Sequence, residues 1–234
     1  MSSFGSRGRS NSYTPELARD YSTLREKFDE TDQDLFSVLK AVGVEGKEVL
    51  DFGCGDGRYS VLLKEMGANH VTGLDVSQKM IDLAKKKAER EIGVDFIVAD
   101  GIEVPLNNEH VDLIVSNFVV HYFSDSEALF KELSRILKIN GSFIGTLNVS
   151  DVDEGFEYLY NRNMPIRLGH GTKSLVVQNL IKSRSQIHQA LRDAGFVIEE
   201  EKELDHPNAR IDDSYRDKQH VHKHAVLLVL QKQK

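Results

Sequence analysis

The chain has 234 residues, 40% hydrophobic and 29% charged, a balance that excludes a disordered polypeptide, and its net charge of −7 is wrong for a protein whose main partner is a phosphate backbone. No apolar run approaches the roughly 18 residues of a membrane span, and no apolar stretch near Met1 has the make-up of a secretory leader. The single cysteine, Cys54, cannot close an internal disulfide and suits a reducing compartment, so the expectation is a cytoplasmic α/β protein without membrane or nucleic-acid partners.

Met1 to Ser12 are almost all Ser, Gly, Arg and Asn. Such a stretch cannot offset its ordering entropy by burial, so 1–12 reads as a disordered tail and 13–234 as a single domain. From Pro15 the pattern is helical: Leu17, Tyr21, Leu24 and Phe28, then Leu35, Leu39 and Val42 before Gly43, which gives a helical cap over 13–46. Strands and helices then alternate. Glu48–Phe52 is a strand ending in a glycine cluster, with a helix to Met66. Val71–Leu74 is a strand closed by Asp75, and Ser77 caps a helix with Met80, Ile81, Ala84 and Ala88 on one side. Phe96–Ala99 and Val111–Val115 are predicted as buried strands. Leu129, Leu133, Ile136 and Leu137 mark a helix stopping before Gly141, and Phe143–Leu147 is a fifth strand. Strands separated by helix-length segments imply right-handed crossovers and a doubly wound, mostly parallel sheet. The C-terminal part differs. A helix over Ser185–Ala194, ended by Gly195, is followed by the runs Phe196–Leu204 and Ala225–Leu230 with no helical pattern between, so these two strands pair antiparallel.

The decisive segment is Val49-Leu50-Asp51-Phe52-Gly53-Cys54-Gly55-Asp56-Gly57. It lies where a strand ends and a helix starts, the edge at which open α/β sheets bind ligands. A dinucleotide fingerprint puts its third glycine where this chain has Arg58, and a phosphate loop needs a Lys followed by Ser or Thr that is missing. Asp51 and Asp56 flank the glycines. Carboxylates there repel an anion and suit a ligand carrying positive charge. Asp75 and Asp100 close the next two strands at the same edge, where the first can accept from two ribose hydroxyls and the second from an exocyclic amine.

In these motifs, and in Val111-Asp112-Leu113-Ile114-Val115-Ser116-Asn117 and Leu137-Lys138-Ile139-Asn140-Gly141-Ser142, the chain resembles class I S-adenosylmethionine-dependent methyltransferases. The likeness runs from about Tyr13 to the C-terminus and is strongest from Val49 to Leu147. It implies a Rossmann-like, seven-stranded, mostly parallel sheet with an antiparallel last strand. It also implies S-adenosylmethionine as cofactor and S-adenosylhomocysteine as product. By position, Gly53, Cys54 and Gly55 would meet the methionine part with Asp51 near its amino group. Asp75, with Val76 after it, would hold the ribose, and Asp100, Gly101 and Ile102 the adenine. Asn117 and Phe118 would line the methyl end, and Tyr59 would contact the ligand from the following helix. Tyr21 either folds over the cofactor or packs the first helix.

Other features read more plainly. Lys85-Lys86-Lys87 is a solvated helix face. His220, His222 and His224 alternate as on one strand face, but no carboxylate or cysteine accompanies them, and methyl transfer needs no metal. Cys54 is a small filler rather than a nucleophile. The stretch 150–184, with Phe156, Tyr158, Tyr160 and Met164, reads as a substrate insert. After the fourth strand, His121 or Tyr122 is the candidate to take the acceptor's proton; the alternative is that His121 only packs the loop. The resulting function is methyl transfer to a small-molecule acceptor by in-line displacement. The alternatives are a protein methyltransferase and a non-catalytic binding module for the cofactor or its product.

Overall fold

The sequence pattern from Glu48 to Ser150 organises a single sheet, seen in a computed structural model that describes residues 30–150, 163–167, 174–178, 182–204 and 223–233. The expected tail over 1–12, Tyr21, most of the expected insert, His220 and His222 lie outside these residues. Helix α1, Glu30–Val42, ends at Gly43, whose φ of 76° a residue with a Cβ rarely adopts. Strand β1 is Glu48–Phe52, α2 is Arg58–Glu65 and β2 is His70–Asp75. Helix α3, Gln78–Lys87, is capped by the Ser77 hydroxyl accepting from the Met80 N–H, and it buries Met80, Ile81 and Ala84. Strand β3 is Val94–Val98 and β4 is Val111–Asn117. A single 3-10 turn, Val120–Tyr122, leads to α4, Ser126–Ile136, which Asp125 caps. Strand β5, Leu137–Ser150, starts directly at the helix end. The remaining strands are β6, Asn163–Arg167, β7, Ser174–Gln178, β8, Lys182–Ser183, β9, Phe196–Leu204, and β10, Lys223–Lys232, with α5, Arg184–Asp193, between β8 and β9.

The strand order is β3-β2-β1-β4-β5-β10-β9, with β8 paired to β5 beyond this path, while β6 and β7 form a separate hairpin. Strands β1 to β5 are parallel to one another, and β10 runs antiparallel to both β5 and β9. The doubly wound, mostly parallel sheet with an antiparallel terminal pair is therefore the observed fold. Two expectations fail. The helix expected to include Leu137 and stop before Gly141 ends at Ile136, and Leu137 already belongs to β5, paired with Val111 of β4. The strand around Phe96 was predicted to be buried, but β3 is the edge of the sheet and no residue in it is fully buried. Its apolar run reflects one-sided packing beneath α3, and a local pattern carries no information about strand order.

Two apolar layers cover the sheet. One joins Leu50, Phe52, Ile114 and Phe143 to α4 and α5 through Leu129, Phe130, Leu133 and Leu191. The other joins Val49, Leu113, Val115 and Ile144 to α1 and α2 through Leu35, Leu39, Tyr59 and Leu63. No helix among the described residues is long and apolar enough to cross a membrane. The winding direction reverses between β1 and β4, and the crevice outside their carboxyl ends is where such sheets place ligands.

Candidate active site

The loop after β1 is tied to β2. The N–H groups of Gly53 and Cys54 both donate to Leu74 O at 2.8 Å, and the Gly57 N–H donates to Cys54 O at 3.0 Å. Asp75 closes the clamp: its Oδ2 accepts from the Gly55 N–H at 3.0 Å and its Oδ1 from the Ser77 N–H at 2.8 Å. The three glycines then divide by what surrounds them. A Cβ on Gly53 would lie 2.3 Å from a Val119 methyl, and one on Gly57 would lie 2.8 Å from the Ala84 Cβ. These two are closed by packing. Gly55, with φ 55°, is open among the described residues, none of which stands within 4 Å of a Cβ there. It is the place where a ligand can reach the main chain.

The acids around the loop are not equivalent. Asp56, 5% exposed, pairs with Lys87 at the end of α3. This corrects the reading of Lys85-Lys86-Lys87 as wholly solvated, and it removes Asp56 as a free ligand charge. Asp51 is 3% exposed and accepts from the Ser60 hydroxyl at 2.6 Å. Burial, opposed by the Ser60 hydrogen bond and assisted by the charges of Asp75 and Asp56, pushes its pKa up to about 7. Burial also raises Asp75, against the hydrogen bonds it accepts. A carboxylate that burial disfavours regains its charge beside a cation, so the buried Asp51 suits a group that brings positive charge to the loop. Cys54 is buried, and burial with the neighbouring carboxylates raises its thiol pKa, so it stays protonated.

Along the same edge, Val76 is 39% exposed. The exposed Asp100 uses Oδ1 to accept from the Ile102 and Glu103 N–H groups at 3.0 and 3.2 Å. The buried Gly101 lies against Phe52 and Phe123. Tyr59 sits in the α1 layer with its hydroxyl donating to Asp32, which also takes Arg58 at 2.9 Å. Arg58, in the place of a third glycine, thus ties α1 to the helix that follows the loop.

The other wall is the turn after β4. Asn117 and Phe118 begin it, and His121, 4% exposed, stands with its ring 4.4 Å from that of Tyr122. His121 Nε2 is 3.5 Å from Asn148 Nδ2 on β5. Lys182 of β8 donates to Phe123 O at 2.6 Å and Ser124 O at 2.9 Å, and burial pushes its pKa down to about 8. The structure therefore brings Asp51, Gly53, Gly55, Asp75, Asn117 and Phe118 to one edge. Ser60, Asn148 and Lys182 were not singled out from sequence, and Lys87 was read only as part of a solvated helix face. Each acts on a partner from another element, and no local spacing marks them. No cluster among the described residues could hold a metal ion.

Residues 50–145 match a methyltransferase-domain family. Among curated proteins, a malonyl-[acyl-carrier protein] O-methyltransferase of Legionella pneumophila is 29% identical over 133 residues, covering 55% of this chain and 46% of that one. A ribosomal protein L11 methyltransferase of Dictyoglomus turgidum is 36% identical over 104 residues, covering 43% and 32%. The matches span less than half the length of these two relatives. Among solved structures, the [4+2]-cyclase SpnF has a TM-score of 0.64 at 19% identity, covering 97% of this chain and 84% of its own. A putative S-adenosylmethionine-dependent methyltransferase from Listeria monocytogenes has 0.63 at 23%, covering 85% and 96%.

Proposed function

From the premise that the chain has the fold of class I S-adenosylmethionine-dependent methyltransferase enzymes, we propose that it binds S-adenosylmethionine in the β1–β4 crevice and transfers the methyl group to a small-molecule acceptor. The observation that carries this reading is Gly55: a left-handed glycine, open among the described residues, held by Asp75 in the loop that follows the buried Asp51. In this reading Gly53, Cys54 and Gly55 line the methionine part and Asp51 holds its amino group. Asp75 and Val76 take the ribose. Asp100, Gly101 and Ile102 take the adenine, and Asn117 and Phe118 line the methyl end. Tyr59, expected to meet the ligand, is instead buried between α2 and α1 with its hydroxyl on Asp32, and it has no ligand contact in this reading.

Bound S-adenosylmethionine supplies a methyl carbon that its sulfonium already makes electrophilic. The chain's contribution is to hold the acceptor atom in line and exclude water, with His121 or Tyr122 as the group that takes the acceptor's proton. Enclosure supports a small acceptor, since His121 and Asn148 are only 4% and 8% exposed. A protein side chain is the alternative, in keeping with the ribosomal-protein relative. A second reading is a chain that holds the cofactor, or its demethylated product, without passing the methyl on, and the likeness to a [4+2]-cyclase over nearly the whole chain favours it.

Calorimetric titration with S-adenosylmethionine and S-adenosylhomocysteine, followed by a radiolabelled-methyl transfer screen over metabolite extracts, tests both readings. Binding with a labelled small product supports the proposal. Binding with no labelled product supports the second reading, and no binding of either compound ends both.

A further inference from the structure

Phe118 has φ 56°, a left-handed conformation that is an outlier for a bulky residue and persists only where the surroundings over-determine it. What determines it is on the neighbouring strand. The Phe118 N–H donates at once to the main-chain oxygen of Thr146 at 2.9 Å and to its Oγ1 at 3.0 Å. The same hydroxyl donates its proton to Asn117 Oδ1. Thr146 is fully buried. The first of these hydrogen bonds comes from the main chain and survives any residue at 146; the other two need a hydroxyl. The residue that follows, Val119, fills the space where Gly53 lacks a side chain, since a Cβ there would lie 2.3 Å from a Val119 methyl. A hydroxyl on β5, a left-handed Phe118 and the first glycine of the β1 loop therefore form one continuous contact.

We propose that Thr146 is a positioning residue that holds the turn after β4 left-handed and so seats Val119 against Gly53, setting the acceptor wall of the crevice against the cofactor loop. The proposal rests on the methyltransferase reading for what the crevice binds, but the hold of Thr146 on the turn stands apart from it. Valine is the informative replacement. It has nearly the shape of threonine and favours strands, so it removes two hydrogen bonds and little else. Without them the Phe118 backbone relaxes toward negative φ and Val119 moves off the loop.

The test compares the full-length chain with Thr146→Val, Thr146→Ser and Val119→Ala. Two quantities are measured: amide exchange across Asn117–Phe123 by mass spectrometry, and affinity for S-adenosylhomocysteine by calorimetry. In Thr146→Val the exchange of this segment rises about tenfold and affinity falls about fivefold, while the rest of the sheet exchanges as in the wild type. Thr146→Ser, which keeps the hydroxyl, holds both near wild type. Val119→Ala weakens affinity while the protection at Phe118 is kept, and it remains informative if Thr146→Val fails to fold. Wild-type behaviour of Thr146→Val in either measurement, a serine variant that behaves like the valine one, or undiminished affinity in Val119→Ala overturns the proposal. If the wild type itself binds neither S-adenosylhomocysteine nor S-adenosylmethionine, the functional reading has failed, and the exchange measurement alone decides on Thr146.

Discussion

The two walls of the crevice solve the same geometric problem by opposite means. In the β1 loop the left-handed positions Gly53, Gly55 and Gly57 are glycines, and the hydrogen bonds that shape the loop come from the next strand. In the β4 turn the left-handed position is Phe118, held by Thr146 on β5, with Lys182 of β8 fastening the far end. The first wall is conformationally cheap and specified nearby. The second is strained and depends on residues distant in sequence, so it responds to changes made elsewhere in the molecule.

The largest expected effect breaks the first wall. Gly55→Val puts a β-branched side chain into the open space beside the loop, and affinity for S-adenosylmethionine falls about a hundredfold or more with the sheet intact. Gly57→Val instead collides with Ala84 and Phe96 and lowers stability by about 1–3 kcal/mol. Calorimetry and thermal melting on the pair separate a ligand glycine from a packing one. On the second wall, His121→Ala lowers turnover by roughly 10²-fold, with cofactor affinity little changed. Steady-state kinetics with an acceptor from the transfer screen check this. Asp75→Ala removes the acceptor of the Gly55 and Ser77 N–H groups as well as the proposed ribose contacts. Affinity falls at least about tenfold, and amide exchange at Gly55 quickens with it.

The smallest effect is a pH dependence confined to the first wall. Asp51 has a folded pKa of about 7 against about 3.9 unfolded. The folded chain therefore binds more protons between those values, and ligand-free stability falls as pH rises through that window. A cationic ligand needs the ionised carboxylate, so affinity rises up to about tenfold from pH 6 to pH 8. Asp51→Asn flattens both trends, in melting curves and in titrations alike.

Legibility followed the same division. Strand β1, the glycine loop, Asp75 and the Ser77 cap could be read because each is a local pattern with a local cause: an apolar run, a turn, a strand end, a hydroxyl three residues before the N–H it accepts. The edge position of β3 could not, because an apolar run reads alike at the rim and in the middle of a sheet. Lys87 on Asp56, Arg58 on Asp32 and Thr146 on Phe118 span 31, 26 and 28 residues. Pairings over such distances exist only once the crossovers bring strands and helices together. Lys182 lay in the stretch from 150 to 184, where no periodicity guides the eye.

The placement of β10 between β5 and β9 sets an order on assembly. Strand β9 precedes β10 in the chain, yet the sheet partner it has in the structure is β10. As the polypeptide emerges, β9 must wait as a bare ribbon while β1 to β5 can already close upon one another, and such a ribbon is a template for pairing with other chains. Its sequence is suited to the delay: Glu199, Glu200, Glu201 and Glu203 make four of its nine residues acidic, and like charges keep two waiting copies apart.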